Sequence, residues 1–115
     1  MSKYSEAYWS ALEELVASSR IVIDRPKGKA HPRYPEKIYP LDYGYLEGTT
    51  TVDGGGIDVW IGEGGVGKVQ GIQCTIDLFK RDAEIKILMG CTEEEFGIID
   101  EFLNQHFMRA ITVRR

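Results

Sequence analysis

Short runs of strand-forming residues, separated by glycine, proline and aspartate, constrain the fold of this chain more than any other feature. Runs of this length that are rich in Val, Ile and Tyr and bounded by turn residues are typical of β-strands. Consecutive runs joined by short turns favour antiparallel pairing. The pattern therefore predicts a mostly antiparallel sheet. Its strands are RIVIDR, DYGYLEG, GIDVWIG, KVQGIQCTID, AEIKILMG and MRAITVRR.

Two further segments have the periodicity of amphipathic helices. The first runs from Ser5 to Ser18 and the second from Thr92 to His106. Thr92 followed three residues later by Glu95 forms a capping box, which marks the start of the second helix. We therefore expect an α+β fold, an OB-like distorted β-barrel that is mainly antiparallel, with an N-terminal and a C-terminal helix. The predicted apolar stripes are Tyr8, Leu12, Leu15 and Val16 in the first helix, and Phe96, Ile99, Leu103 and Phe107 in the second.

Length and composition argue against several classes of protein. With 115 residues we expect one domain, residues 1–115. A net charge of −4 argues against a nucleic-acid partner, and no apolar run approaches the roughly 20 residues of a membrane span. Acidic residues in the first apolar stretch argue against a secretion signal. Cys74 and Cys91 lack the spacing of a zinc or redox site, so we expect free, buried thiols in a cytoplasmic protein.

Four aspartates flank two predicted turns. Asp53 and Asp58 lie on either side of a glycine run, and Asp77 and Asp82 lie on either side of a later polar turn, LFKR. If both turns join paired strands, they could meet at one rim, where carboxylates repel one another unless a cation neutralises them. Mg²⁺ binds through a few carboxylates while keeping waters and substrate phosphates. A single aspartate in a turn more often bonds nearby backbone amides, so the metal-site hypothesis depends on the four together.

Five basic residues and one acidic residue lie between positions 25 and 37, in a proline-rich segment that can be neither a helix nor a central strand. Most charged runs are solvated loops, but Arg25 ends a predicted strand, and a guanidinium matches phosphate oxygens. Tyr43 and Tyr45 share one face of the next strand, where one hydroxyl could contact an anion and the other ring could be a core aromatic. We expect an extended loop near a small anion. Within it, we assign His31 no catalytic role.

From about Ile21 to Leu88, the chain resembles the soluble, Mg²⁺-dependent inorganic pyrophosphatases of the distorted-barrel type. The similar segments are IDR, YPLDYGYLEGT, DGGGIDV and GIQCTIDLFKRDAEI. DGGGIDV resembles the family signature D-G-D-P-x-D-x, and the spacing of Asp77 and Asp82 matches the third and fourth metal-ligand aspartates of the family. The chain looks like a shortened and divergent member.

The resemblance implies hydrolysis of pyrophosphate, or of a related phosphoanhydride, by a metal-activated water. It implies that Arg25, Tyr43 and Asp58 act in catalysis, with Arg25 and Tyr43 holding phosphate. The implied Mg²⁺ ligands are Asp53, Asp58, Asp77 and Asp82. The remaining predicted substrate-binding residues are Lys27 and Lys29 in the basic segment, and Lys86. Lys86 lies on the same strand face as Glu84, the position at which the family has a substrate lysine.

Two departures from the family pattern leave alternatives open. Gly55 replaces the signature aspartate that helps to deprotonate the attacking water, and Glu84 replaces a substrate lysine. A second hypothesis is therefore a module that binds metal and a phosphorylated ligand without turnover. A third is a structural domain whose aspartates hold no ligand. We expect a small-molecule phosphate partner, no nucleic acid and no membrane, and a homo-oligomer for which Tyr4 and Trp9 could supply exposed aromatic contacts.

Overall fold

The computed structural model describes residues 2–115. The strands form one mixed sheet in the spatial order β1-β2-β3-β5-β4-β6, in which β3 and β5 pair in parallel and the other neighbours are antiparallel. The elements are α1 Ser5–Ala17, β1 Ile21–Arg25, β2 Asp42–Leu46, β3 Ile57–Ile61, β4 Val69–Asp77, β5 Asp82–Met89, α2 Glu93–Leu103 and β6 Met108–Arg114.

The α+β class and the positions of the two helices are confirmed, but the sheet does not close into a barrel. Within residues 2–115, β1 and β6 are the two edges of the sheet and do not pair with each other. The physical reason is that each face is covered by a helix. Val59 and Ile87 belong to the core under α1, whereas their neighbours Trp60 and Leu88 belong to the core under α2. A sheet covered on both faces buries its apolar side chains without curling around an interior.

Helix α1 covers its face of the sheet with a purely apolar core. Leu12 and Val16 are buried as the predicted stripe requires. The prediction for Tyr8 is wrong, because Tyr8 is 44% exposed while the next residue, Trp9, is 7% exposed. The larger indole takes the buried position, and the Tyr8 ring packs edge-on against it with 5.3 Å between the ring centroids. Of the two aromatics proposed for an oligomer contact, only Tyr4 is exposed.

Helix α2 begins as the capping box predicts. The Glu95 amide donates to the Thr92 hydroxyl at 3.2 Å, and the Thr92 amide donates to the Glu95 carboxylate at 2.9 Å. The helix ends at Leu103, since the Asn104 side chain bonds both a helix carbonyl and β6. Phe107 therefore lies beyond the helix and is 58% exposed, so its assignment to the apolar stripe is wrong. The other predicted stripe residues, Phe96, Ile99 and Leu103, are buried.

A polar network links α2 to the sheet beneath it. Gln73 is fully buried; its side-chain oxygen accepts from the Trp60 indole at 3.1 Å and its nitrogen donates to Asp100 at 3.2 Å. Thr112 on β6 donates to the same Asp100 oxygen at 2.5 Å. These bonds satisfy the hydrogen-bonding capacity of the buried polar atoms and fix the indole of Trp60 in the core under α2.

Both cysteines are free, as predicted, although only Cys91 is buried and Cys74 is half-buried. Burial, reinforced by the charge of Glu95, raises the pKa of the Cys91 thiol to about 11. No helix within residues 2–115 is both long enough and apolar enough to cross a bilayer.

Candidate active site

The turns of two hairpins lie at the same end of the sheet. Strands β2 and β3 pair as one hairpin around residues 47–56, and β4 and β5 pair as another around residues 78–81. Because β3 and β5 are parallel neighbours, with Asp58 in register with Lys86, both strands begin at the same end of the sheet. The two aspartate-bearing turns therefore meet at one rim, as the spacing of the four aspartates predicts.

A cavity of about 270 Å³ lies at this rim, on the α2 face of the sheet and next to Leu103 at the end of the helix. Side chains two apart on a strand share a face, which is why Asp58 and Trp60, and likewise Glu84 and Lys86, line the same cavity. The predicted site residues in the wall are Arg25, Tyr43, Asp53, Asp58, Asp77, Asp82 and Lys86. Other wall residues include His31, Lys37, Tyr39, Lys80 and Glu84.

Three carboxylates of this wall lie close enough together to hold one metal ion. One oxygen each from Asp53, Asp82 and Glu84 lies within 4.8 Å of the others. Two of these residues, Asp53 and Asp82, are among the four predicted ligands, whereas Glu84 was not predicted as a ligand. Asp58 and Asp77 also line the cavity but are not members of this cluster. The structure therefore brings together a different set of three oxygens from the predicted set of four.

Opposite effects act on the carboxyls of this cluster. The Thr51 hydroxyl at 2.5 Å and the Gly55 amide at 2.9 Å both donate to Asp53 Oδ1, and these bonds lower the pKa of Asp53. Burial raises the pKa of Glu84, and the nearby charge of Asp58 raises it further, although Lys86 acts in the opposite direction. A cation bound beside Glu84 would favour its ionised form and oppose both of the effects that raise its pKa.

Asp58 is held by a buried lysine and tyrosine. The Lys86 ammonium donates to the Tyr43 oxygen at 2.7 Å, to Asp58 Oδ2 at 2.9 Å and to Glu84 at 3.3 Å. The Tyr43 hydroxyl in turn donates to Asp58 Oδ2 at 2.7 Å. Burial raises the pKa of Tyr43, so the phenol stays protonated. Burial alone would lower the pKa of Lys86, but its contacts with Tyr43 and Asp58 raise it, so the ammonium stays charged.

Asp77 serves the turn that follows it. Its Oδ1 accepts from the amides of Phe79 at 2.9 Å and Lys80 at 3.0 Å. This is the local role that an aspartate most often has at the start of a turn. Its other oxygen keeps its capacity to accept, so the predicted metal role of Asp77 stays a prediction.

Arg25 lies at the end of β1 after a register shift in the β1–β2 pairing. Its guanidinium donates to the Tyr39 hydroxyl. It also lies over the rings of Tyr39, at 5.4 Å, and Tyr43, at 5.9 Å. These contacts hold the guanidinium in the cavity wall without neutralising its charge.

The proline-rich segment is a folded arm rather than the expected extended loop. The amide of His31 donates to the carbonyl of Lys37 at 2.8 Å, next to a bridge between Ala30 and Ile38. We call residues 28–39 the arm. Its fold brings the side chains of His31 and Lys37 to the cavity wall. The structure does not bring the predicted substrate residues Lys27 and Lys29 there.

The predicted site residues did not include the wall residues Asp24, His31, Lys37, Lys80 and Glu84. A signal was available for Glu84, because it alternates with Asp82 and Lys86 along β5 and must share their face. No local signal identifies His31 or Lys37, since their positions depend on hydrogen bonds across the arm.

Comparisons with known proteins give limited information. No family model matches the chain, and no curated protein sequence matches it. Among solved structures, the chain is similar to an inorganic pyrophosphatase from Coxiella burnetii, with 15% sequence identity, a TM-score of 0.48, and coverage of 82% of this chain and 81% of that chain. At this identity and TM-score, the likeness concerns the general course of the backbone and carries no argument about shared residues or chemistry.

Proposed function

We propose that the protein is a divalent-metal-dependent hydrolase of inorganic pyrophosphate or a related phosphoanhydride, and a divergent member of the soluble pyrophosphatase family. The observation that carries the proposal is one cavity in which the Asp53, Asp82 and Glu84 carboxylates lie beside the cations Arg25 and Lys86. Carboxylates select a hard cation, and guanidinium and ammonium groups select phosphate oxygens. A phosphoanhydride bound to Mg²⁺ needs both kinds of group.

The donor set fits a hard divalent ion. All three groups of the cluster offer carboxylate oxygens. Burial raises the pKa of Glu84 and the charge of Asp58 raises it further, so a cation bound here would favour its ionised form. Mg²⁺ binds through few protein ligands and keeps several waters, which suits a cluster of three at an open cavity. When bound, such an ion supplies a water of lowered pKa and neutralises charge on the anhydride oxygens.

The side chains of the chain itself would bind and orient the anion. Arg25 presents a guanidinium fixed against two aromatic rings. Lys86 would contact a phosphate oxygen only by exchanging one of its three hydrogen bonds, which go to Tyr43, Asp58 and Glu84. The Tyr43 hydroxyl keeps its proton and donates a hydrogen bond to Asp58. It therefore positions Lys86 and does not act as a base. Fixed charges in a partly buried site stabilise the negative charge that develops on a departing phosphate.

A second candidate function is binding of metal and a phosphorylated ligand without turnover. Asp58 Oδ2 already accepts two hydrogen bonds, from Lys86 and Tyr43, which weakens it as a proton acceptor. Gly55 offers no carboxylate at the turn. Assistance by a general base is commonly worth about 10²–10⁴ in rate, so this arrangement favours slow hydrolysis or none.

A phosphate-release assay separates the two candidates. Pyrophosphate, tripolyphosphate and nucleoside triphosphates are tested with Mg²⁺, Mn²⁺ and a chelator, using the wild type, Asp82→Asn and Glu47→Gln. Glu47 is an exposed carboxylate outside the cavity and controls for loss of one negative charge. We expect metal-dependent release that falls at least about 100-fold in Asp82→Asn and stays unchanged in Glu47→Gln. No release from any substrate, together with metal-dependent ligand binding, would support the second candidate instead.

A further inference from the structure

We propose that the same cavity contains a binding site for a phosphate-type oxyanion that needs no metal ion, formed by Arg25, His31, Lys37 and Lys80. The inference rests on the proposed function in that it assigns the phosphate-binding part of that site. It adds two residues of the arm and one of the β4–β5 turn that neither the sequence nor the family resemblance indicated.

Three cations of the cavity wall have no ion-pair partner. Within residues 2–115, the ion pairs involve Arg20, Lys86, Arg114 and Arg115, and none involves Arg25, Lys37 or Lys80. The Lys37 ammonium lies over the Phe102 ring at 5.1 Å, and Arg25 lies over two tyrosine rings. Asp24 and Asp77 line the same wall, but neither forms an ion pair with these cations, which therefore keep N–H groups that can donate to a small oxyanion.

His31 presents a hydrogen-bond donor to the same cavity. Its Nδ1 accepts from the Arg33 amide at 3.0 Å, so a neutral imidazole carries its proton on Nε2. With one nitrogen accepting and the other protonated, the ring has no free lone pair for a metal ion. The side chain can therefore donate to an anion but not ligate a cation.

The charges that act on the pKa of His31 are those of cations, although Asp24 and Asp77 line the same wall. Burial lowers the pKa of His31, and the charges of Arg25, Lys37, Lys80 and Arg33 lower it further. The rings that pack against it belong to Tyr34, at 5.0 Å, and Tyr39, at 6.1 Å. Asp77 acts on Lys37 rather than on the imidazole. An anion at this position accepts from the Nε2–H of the imidazole and offsets the cationic charges that lower the pKa of His31.

The arm holds its two contributions in place before any ligand binds. The His31 amide donates to the Lys37 carbonyl at 2.8 Å, and the Tyr39 amide donates to the Lys29 carbonyl at 2.9 Å. These bonds span the arm, so its two sides move as a unit. A site whose groups are already ordered loses less conformational entropy on binding.

The test is an NMR titration of the full chain with inorganic phosphate, in a buffer that contains a chelator. The chain has two histidines, and His106 lies outside the cavity and is an internal control. We expect saturable shifts of the His31 imidazole and a rise of its pKa with phosphate, with His106 unchanged. Lys37→Met should weaken phosphate about tenfold, the usual worth of a hydrogen bond from a charged group. Lys68→Met removes the same charge from an exposed position outside the cavity and should change affinity less than about twofold.

Two results would overturn the inference: His31 resonances that do not respond to phosphate, or equal weakening of phosphate binding by Lys37→Met and Lys68→Met. The outcome is separable from the proposed function. If phosphate does not bind without metal but pyrophosphate is hydrolysed with metal, the inference is wrong and the proposed function stands. If phosphate binds in the chelator but no anhydride is hydrolysed, the inference stands and the proposed hydrolase activity is wrong.

Discussion

The two faces of the sheet differ in chemistry although the same strands form both. Under α1, the buried residues of the core are apolar, as Leu46, Val59 and Ile87 illustrate. Under α2, aromatic residues such as Trp60 are interleaved with buried polar groups such as Lys86. Helix α2 ends at Leu103, short of the sheet end where the hairpin turns lie, and the cavity occupies the space past it.

This difference shows how a small sheet can separate stability from chemistry. Alternation sends successive residues of each strand to opposite faces, so β3 places Val59 in an apolar core and its neighbour Asp58 in the cavity. One face can then be packed for stability while part of the other keeps charges that would be unfavourable in a closed core. We expect substitutions on the two faces to have separable effects.

The largest effect on stability should come from the α1 face. Leu12 is 7% exposed and lies in the core of that face, so Leu12→Ala should lower the free energy of unfolding by about 3–5 kcal/mol. Urea denaturation measures the loss. At a temperature where the variant remains folded, its affinity for divalent metal should equal that of the wild type. A weaker metal affinity in the folded variant would show that the two faces are coupled.

A smaller loss should follow from removing the buried lysine of the α2 face. Lys86→Met leaves Asp58 and Glu84 without their cation, and we expect the free energy of unfolding to fall by about 2–3 kcal/mol, since Asp58 is 25% exposed and partly hydrated. Asp58→Asn in the same background, or added Mg²⁺, should recover part of the loss. Lys68→Met, an exposed lysine outside the cavity, is the matched control. Equal effects of the two lysine variants would contradict the role of Lys86.

A gain of activity is expected at the glycine turn. The backbone of Gly55 does not have the positive φ that favours glycine, and an added Cβ would contact Asp53 Oδ1 at 3.3 Å. Gly55→Asp introduces a carboxylate at the position where the pyrophosphatase signature that this segment resembles has one, and we expect pyrophosphate hydrolysis to rise at least about tenfold. Gly55→Asn, which has the same shape without the charge, should give no increase. Equal rates in both variants would mean that a carboxylate here does not act as a base.

The smallest effect should come from the N-terminal cap of α2. Thr92→Ala removes one half of the capping box, and we expect a loss of about 1 kcal/mol in the free energy of unfolding. Metal affinity should not change, because α2 borders the cavity through its other end. Thermal unfolding with and without Mg²⁺ measures both quantities. A change in the stabilisation by Mg²⁺ would show that the position of α2 controls the site.

Features of the fold that depend on local chemistry were predictable from the sequence. The capping box located the start of α2, and alternating apolar residues located the strands. The open sheet was not predictable, because β4 lies outside β5 and leaves β5 to pair in parallel with β3. That arrangement depends on how both helices cover the sheet, and no short window of sequence records it. Trp9 rather than Tyr8 is buried for a similar reason, since neighbouring aromatics both fit a helical stripe.

The candidate site was predictable in its general composition but not in its contacts. The predicted pairing of consecutive strands as hairpins correctly placed the aspartates at one rim of the sheet. The sequence could not show that Asp58 is hydrogen-bonded to Lys86 and Tyr43, or that the carboxylate of Glu84 lies close to that of Asp53. Both contacts depend on pairing between distant strands. The contribution of the arm was also hidden, since a proline-rich segment has several possible courses.

The most direct test of the proposed metal site is a titration with Mn²⁺, in which paramagnetic broadening of backbone amide resonances shows where the ion binds. Mn²⁺ is a hard cation that accepts the same carboxylate oxygens as Mg²⁺. At less than one equivalent of Mn²⁺, we predict the strongest broadening at Asp53, Asp82 and Glu84, and its loss in Asp82→Asn. The acidic first turn of α2, Glu93–Glu95, is an internal comparison of similar charge. Broadening that is strongest at that turn, or equally weak throughout the chain, would contradict a metal site between the two hairpins.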